Sequence, residues 1–221
     1  MNALDNANIV VNNSTGLTSF AFPEAKSSQT GESVSYVYSA EKKWFVFRIL
    51  YGKSQFISDF LVEKGVYTYL AMIWKDCYKD GKKHRVLVPF MNLLFVYTTP
   101  EEADTYVRSC AESRYITYYF NHFATDGMGQ NPPLTISSRD IEPLIRATAI
   151  HDVHVMEVNV KECRFLSDDL VRVTGGPFEG IVGKVARIAR QKRVVVNIKG
   201  LQSGITTAYI PPYYLEKIEE S

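Results

Sequence analysis

The sequence predicts an α+β chain: an antiparallel sheet with packed helices, followed by a small closed β-barrel. Three observations carry this. Between residues 44 and 149, β-branched and aromatic runs alternate with stretches whose apolar residues recur at helical spacing. From 169 to 214, four or five short strand-like runs are separated by Gly, Pro or polar reversals within about fifty residues. Composition agrees, with 46% hydrophobic and 22% charged residues in 221, as in an ordinary globular protein with one or two cores.

Residues 1–40 are rich in Asn, Ser, Thr and Gly and sustain no period, so a poorly ordered extension is expected there. Order begins at Trp44, in a run to Tyr51 that reads as a buried central strand and ends at Gly52. Phe56, Phe60 and Leu61 recur at helical spacing, with Ile57 and Val62 widening the apolar face, and Gly65 is a stop signal. Residues 66–73 form a second strand. Asp80-Gly81 marks a hairpin whose return strand is 85–88. After Pro89, a fourth strand covers 93–98. Pro100 with Glu101 and Glu102 opens a second helix, where a proline costs no hydrogen bond and acids suit the dipole. A short aromatic strand at 115–120 and a loop through Pro132-Pro133 lead to a third helix at 138–149, capped by Ser137 or Ser138. Residues 151–163 read as an interdomain linker. This divides the chain into an extension (1–40), a sheet domain (41–150), the linker (151–163) and a barrel (164–221).

The barrel opens on Val171 and Val173, which alternate with Arg172 and Thr174. Gly175-Gly176-Pro177 breaks that strand, and Gly180 and Gly183 bracket Ile181 and Val182. Strands follow at 184–188 and 194–198 around a polar reversal at 190–193, with a last one at 208–210. The β-branched run Val194-Val195-Val196 and the many glycines favour strands over helices throughout.

The run Val-Arg-Val-x-x-Gly-Pro-Phe-x-Gly-x-x-Gly-x-Val-x-x-Ile at 171–188 resembles the KOW motif of SH3-like barrels, found in ribosomal proteins and NusG-type transcription factors. Upstream, Trp44-Phe45-Val46 before a helix, then Leu87-Val88-Pro89-Phe90-Met91-Asn92-Leu93-Leu94-Phe95-Val96, resembles the NGN domain of NusG-type elongation factors. NGN, linker and KOW barrel is that family's domain order. The two resemblances together span 43–218. Asn92-Leu93-Leu94-Phe95-Val96 and the ending Thr207-Ala208-Tyr209-Ile210-Pro211 are similar to the specialised RfaH-like and UpxY-like paralogues that accompany RNA polymerase through long surface-polysaccharide operons. The resemblance implies a transcription elongation and antitermination factor.

It also implies sites. An apolar patch for the clamp helices of the polymerase largest subunit falls on Phe90, Leu93 and Phe95, with Trp44 and Tyr51 beside them; each is equally well a core residue of an apolar strand. The non-template DNA strand falls to Arg48, Lys53 and Arg85, where the solvated-hairpin reading competes for the stretch Lys82 to Arg85. An accessory partner, termination factor Rho or the small-subunit ribosomal protein NusE, falls to Phe178, Ile181, Arg190 and Arg193, against the plain reading of Phe178 as a plug in the barrel mouth.

Other chemistries find little footing. His151, Asp152, His154 and Cys163 lack the partners a zinc site needs, and Gly175-Gly176 lacks the Lys-Ser/Thr of a phosphate loop. No nucleophile elbow, zinc-protease motif or paired-carboxylate setting appears, so a non-enzymatic protein without cofactor or metal is expected. Three widely spaced cysteines, no apolar run of the ~20 residues a span needs and no signal-peptide order predict a cytoplasmic monomer without membrane contact. A ribosome- or RNA-associated KOW-domain binding protein is the alternative; the net charge of +1 counts against it.

Overall fold

A computed structural model describes residues 20–188 and 190–218. Helix and antiparallel sheet are mixed, in the order β1 (Ala25–Lys26), β2 (Ser33–Val34), β3 (Lys43–Ile49), α1 (Ser54–Glu63), β4 (Tyr67–Tyr69), β5 (Met72–Lys79), β6 (Lys82–Pro89), β7 (Leu93–Thr98), α2 (Pro100–Arg108), β8 (Ile116–Tyr118), β9 (Thr135–Ile136) and α3 (Ser138–Ala149). Then come β10 (Met156–Asn159), β11 (Phe165–Val173), β12 (Val182–Ile188), β13 (Gln191–Val196), β14 (Ser203–Tyr209) and β15 (Leu215–Ile218). Among the described residues no helix is long and apolar enough to cross a membrane.

The first sheet has the order β4-β7-β3-β8, with β9 also paired to β3. Side chains alternate across it. Trp44, Val46, Leu93, Phe95 and Tyr97 enter one apolar cluster, while Phe45, Phe47, Ile49, Leu94 and Val96 enter another with Ile57 and Leu61 of α1 and Ala103 of α2. Covering both faces explains why β3 and β7 are continuous apolar runs rather than alternating ones. The first face shares its cluster with Ile141, Leu144 and Ile145 of α3.

Helix α2 begins with a reciprocal cap. The Thr99 hydroxyl accepts from the Glu102 N–H (3.3 Å), and the Glu102 carboxylate accepts from the Thr99 N–H (3.4 Å) and from the Thr98 hydroxyl. The Thr98 bond holds the Glu102 carboxyl below the usual carboxylate range. Thr99→Ala is expected to lower stability by about 1 kcal/mol in thermal denaturation, the usual worth of such a cap.

The expected second strand divides at Leu70-Ala71. Its first part, β4, edges the central sheet, and its second, β5, pairs only with β6 in a separate hairpin.

The C-terminal sheet runs β10-β14-β13-β12-β11-β15, antiparallel throughout. Two of its strands correct the sequence reading. Met156–Asn159, within the expected linker, pairs with β14 (Met156 opposite Thr206), and Leu215–Ile218 closes against β11. The last short run extends back to Ser203. The core is shared between the two halves: Leu134, Leu144 and Ala147 lie in one cluster with Val155, Phe178, Ile181 and Leu201. Gly200 permits that approach, since a Cβ there would lie 2.5 Å from Leu134 Cδ1 and its φ is +101°.

The expected extension also differs. Residues 1–19 lie outside the described residues, but 20–40 pack on the sheet domain through Phe22, Val34 and Tyr36, and Ala25 is buried. Side-chain anchors, which recur with no period, fix this segment.

Candidate nucleic-acid interface

Strand β3 ends in a tight reversal at Tyr51-Gly52, both with positive φ (55° and 66°). An aromatic residue in the left-handed region is uncommon, and this one is 81% exposed. The turn is held by its surroundings: the Leu50 N–H donates to the Tyr115 carbonyl (2.9 Å) and the Lys53 N–H to the Leu50 carbonyl (3.2 Å). The first bond brings the short 3-10 helix Ala111–Tyr115 alongside the start of α1.

Three rings and two cations meet at that junction. Tyr115 stands edge-on to Tyr51, with centroids 6.4 Å apart, and to Phe56, at 6.2 Å. The Arg114 guanidinium lies 4.8 Å from the Tyr115 centroid, and Lys53 Nζ 6.0 Å from that of Phe56. Tyr51, Lys53, Phe56 and Arg114 are exposed and Tyr115 is half-buried. Among the described residues neither cation forms a salt bridge, so both charges are available to phosphate. Exposed rings interleaved with unpaired cations suit a single strand, because every base has a face to stack and every nucleotide a charge to neutralise.

The other expected residues are placed elsewhere. Arg48 projects beside Val46 toward the opposite face, 5.3 Å over the Tyr119 ring. Arg85 donates to Asp76 Oδ1 (2.9 Å) and to the Val153 carbonyl (3.1 Å), tying the β5–β6 hairpin to the segment before β10. Lys83 and Arg85 together hold the Asp76 carboxyl below its ordinary value. The three expected DNA contacts therefore do not converge.

The apolar patch is corrected. Trp44, Phe90, Leu93 and Phe95 have no exposed surface at all, and of the five residues expected to receive the clamp helices only Tyr51 is accessible. In the C-terminal sheet, Phe178 and Ile181 are buried and Arg190 is exposed on a positive-φ turn. Arg193 is buried; its Nη1 donates to the His154 (3.1 Å) and Thr207 (3.4 Å) carbonyls and its Nη2 to Gln191 Oε1 (3.1 Å), while Nε is left without a partner. It fastens the expected linker to β13 and cannot greet a partner as placed.

Phe56, Arg114 and Tyr115 escaped the sequence reading. Phe56 has helical spacing and reads as core, and nothing local links Tyr115 to Tyr51. Among the described residues, no three His, Cys, Asp or Glu side chains group to hold a metal ion.

Compared with models of known protein families the chain gives no match, and no curated protein matches it either.

Proposed function

We propose that this chain is a non-enzymatic transcription elongation and antitermination factor of NusG type, an NGN-like domain followed by a KOW-type barrel, that binds RNA polymerase and suppresses pausing or termination on long operons. The observation that carries the reading is the exposed cluster of Tyr51, Lys53, Phe56, Arg114 and Tyr115, a stacking platform with two free cations at the edge of an antiparallel sheet domain. The KOW-like and NGN-like sequence runs, which fall on β11–β12 and on β3 and β7, support it. The cluster would take the displaced non-template strand, and the C-terminal sheet would recruit Rho or the ribosomal protein NusE. Acceleration follows from differential binding: a factor that prefers the elongating form of the polymerase shifts the population away from the paused form.

The test is a single-round transcription assay with the factor's own polymerase. Wild-type protein shortens pause lifetimes, and Tyr51→Ala with Tyr115→Ala abolishes most of the effect; unchanged lifetimes with wild type would end the proposal. Anisotropy with a short single-stranded DNA gives a second readout. Each lost ring weakens binding by about 1–3 kcal/mol, and Arg114→Ala flattens the logarithmic salt dependence by about 0.7.

A further inference from the structure

Strands β5 and β10 are both edge strands. β5 pairs only with β6, and β10 only with β14, so each has one outer edge free of a ladder. Between those edges lies a cavity of about 410 Å³. Ile73 and Lys75 from one face of β5 line it together with Trp74 and Asp76 from the other. Successive side chains of a strand point to opposite faces, so a cavity that meets both sets lies beside the strand's edge. Met156, Glu157 and Asn159 place it beside the edge of β10 in the same way. Its volume is within the usual range of ligand pockets, about 300–1,000 Å³.

The walls of this groove are main chain, and they are held in place. A two-residue turn closes β5 on β6: Lys79 pairs with Lys82, and Asp80 and Gly81 between them have positive φ (52° and 71°). Main-chain groups along such a ladder point alternately to the partner and away, which leaves those of Trp74 and Asp76 on the outer edge. Among the described residues no backbone hydrogen bond joins β5 to β10. Two side-chain bonds fix the spacing instead: Trp74 Nε1 donates to the His151 carbonyl (2.9 Å) and Arg85 to the Val153 carbonyl (3.1 Å). Charge around the groove is unbalanced. The hairpin 72–89 carries five Lys or Arg against two Asp, and among the described residues Lys75 forms no salt bridge.

We propose that this groove binds an extended, acidic segment of a partner protein, which adds a strand to the outer edge of β5. Main-chain hydrogen bonds to Trp74 and Asp76 give such a strand its hold, and the side chains beside them give it its choice of residue. An apolar side chain rests on Trp74 on one face, and an acidic one meets Lys75 on the other. A polynucleotide has no alternating N–H and C=O groups with which to pair a free strand edge. Because Trp74 and Arg85 already set the spacing, little ordering of the protein opposes binding. No wall of the groove belongs to the Tyr51–Tyr115 cluster, so the site does not depend on what that cluster takes.

Binding is measured on the full chain with a fluorescent peptide of alternating Asp and Val, and its main-chain contact by hydrogen exchange. The peptide should bind, and at saturation the amides of Trp74 and Asp76 should exchange about tenfold more slowly. Its fully N-methylated form keeps the side chains and loses every main-chain donor. That form should bind about tenfold more weakly, as the loss of two hydrogen bonds implies. Lys75→Glu changes an exposed side chain. It should weaken the Asp-Val peptide about fivefold and favour a Lys-Val peptide instead. Absence of binding, equal binding of the N-methylated form, or unchanged exchange at Trp74 and Asp76 would overturn the proposal. So would tighter binding of oligo-dT that Lys75→Glu abolishes, which would make the hairpin a nucleic-acid site. Protection of the same amides that grows with protein concentration and needs no peptide would identify a second copy as the occupant and overturn the partner.

Discussion

Phe95→Ala is expected to lower the stability of the chain by about 3–5 kcal/mol, the range for truncating a fully buried phenylalanine. Phe95 has no exposed surface, and it sits in the middle of β7 opposite Val46 on one side and Tyr69 on the other. The ring is part of the cluster that also contains Ile141, Leu144 and Ile145 of α3, so its loss leaves a cavity in a close-packed core that cannot close up without shifting its neighbours. Urea denaturation followed by far-UV circular dichroism reads the effect directly. Against a total stability of about 5–15 kcal/mol, such a loss raises the unfolded population at least about a hundredfold. A polymerase-binding defect in Phe95→Ala would then report a disturbed core rather than a lost contact, since the ring has no exposed surface. Tyr51→Ala is the contrasting case: an exposed side chain whose removal shifts stability by about 0.5 kcal/mol or less. Equal stabilities for Phe95→Ala and wild type would show that the sheet face is open to solvent.

The same residues show how far the sequence could be read. The run from Trp44 to Tyr51 announces a buried strand, and β3 is one. A strand covered on both faces loses its alternation, however, so the sequence of β7 cannot say which residues meet water. That is why Leu93 and Phe95 fit a docking patch and a core equally well until their complete burial is seen. Residues 20–40 failed for another reason. Their order comes from isolated anchors, Phe22 and Tyr36 on rings from three strands and Ser28 on Asp59, and such anchors leave no period. Strand β10 is four residues long, and its partner β14 lies far along the chain, so its pairing is legible only after folding.

Of the candidate interface, only Lys53 was expected to meet nucleic acid; Tyr51, beside it after the strand, was expected to meet the clamp helices. Arg114 and Tyr115 join them through one backbone hydrogen bond, from the Leu50 N–H to the Tyr115 carbonyl. Charge misled at Arg193. A basic reversal reads as surface, but its guanidinium is drawn inward by the His154 and Thr207 carbonyls. Burial pushes its pKa down, in the direction expected of a cation losing water.

Gly183→Ala is expected to open the C-terminal sheet, at a loss of about 3 kcal/mol, the upper end for an overpacked interior. A Cβ on Gly183 would lie 2.3 Å from the Val195 carbonyl oxygen and 2.8 Å from Val194 Cγ1. The first of these atoms is backbone and cannot swing aside as the end of a flexible side chain could. Strand β12 must therefore move off β13, where Lys184 pairs with Val195 and Val185 with Val194, and it carries its other neighbour with it, since Gly183 faces Val171 on β11. Gly183, one of the glycines by which the 171–188 run resembles a KOW motif, is thus required by close strand approach alone. Native-state hydrogen exchange locates the effect: the amides of β12 and β13 should exchange about a hundredfold faster, as a loss of roughly 3 kcal/mol implies. Amides of β3 and β7 should change less, because the two sheets share side-chain packing and no ladder hydrogen bonds. Gly127→Ala is the control, since a Cβ there meets nothing within 4 Å. If the two variants exchange alike, β12 and β13 do not lie as close as the fold requires, and the motif's glycines need a functional explanation instead.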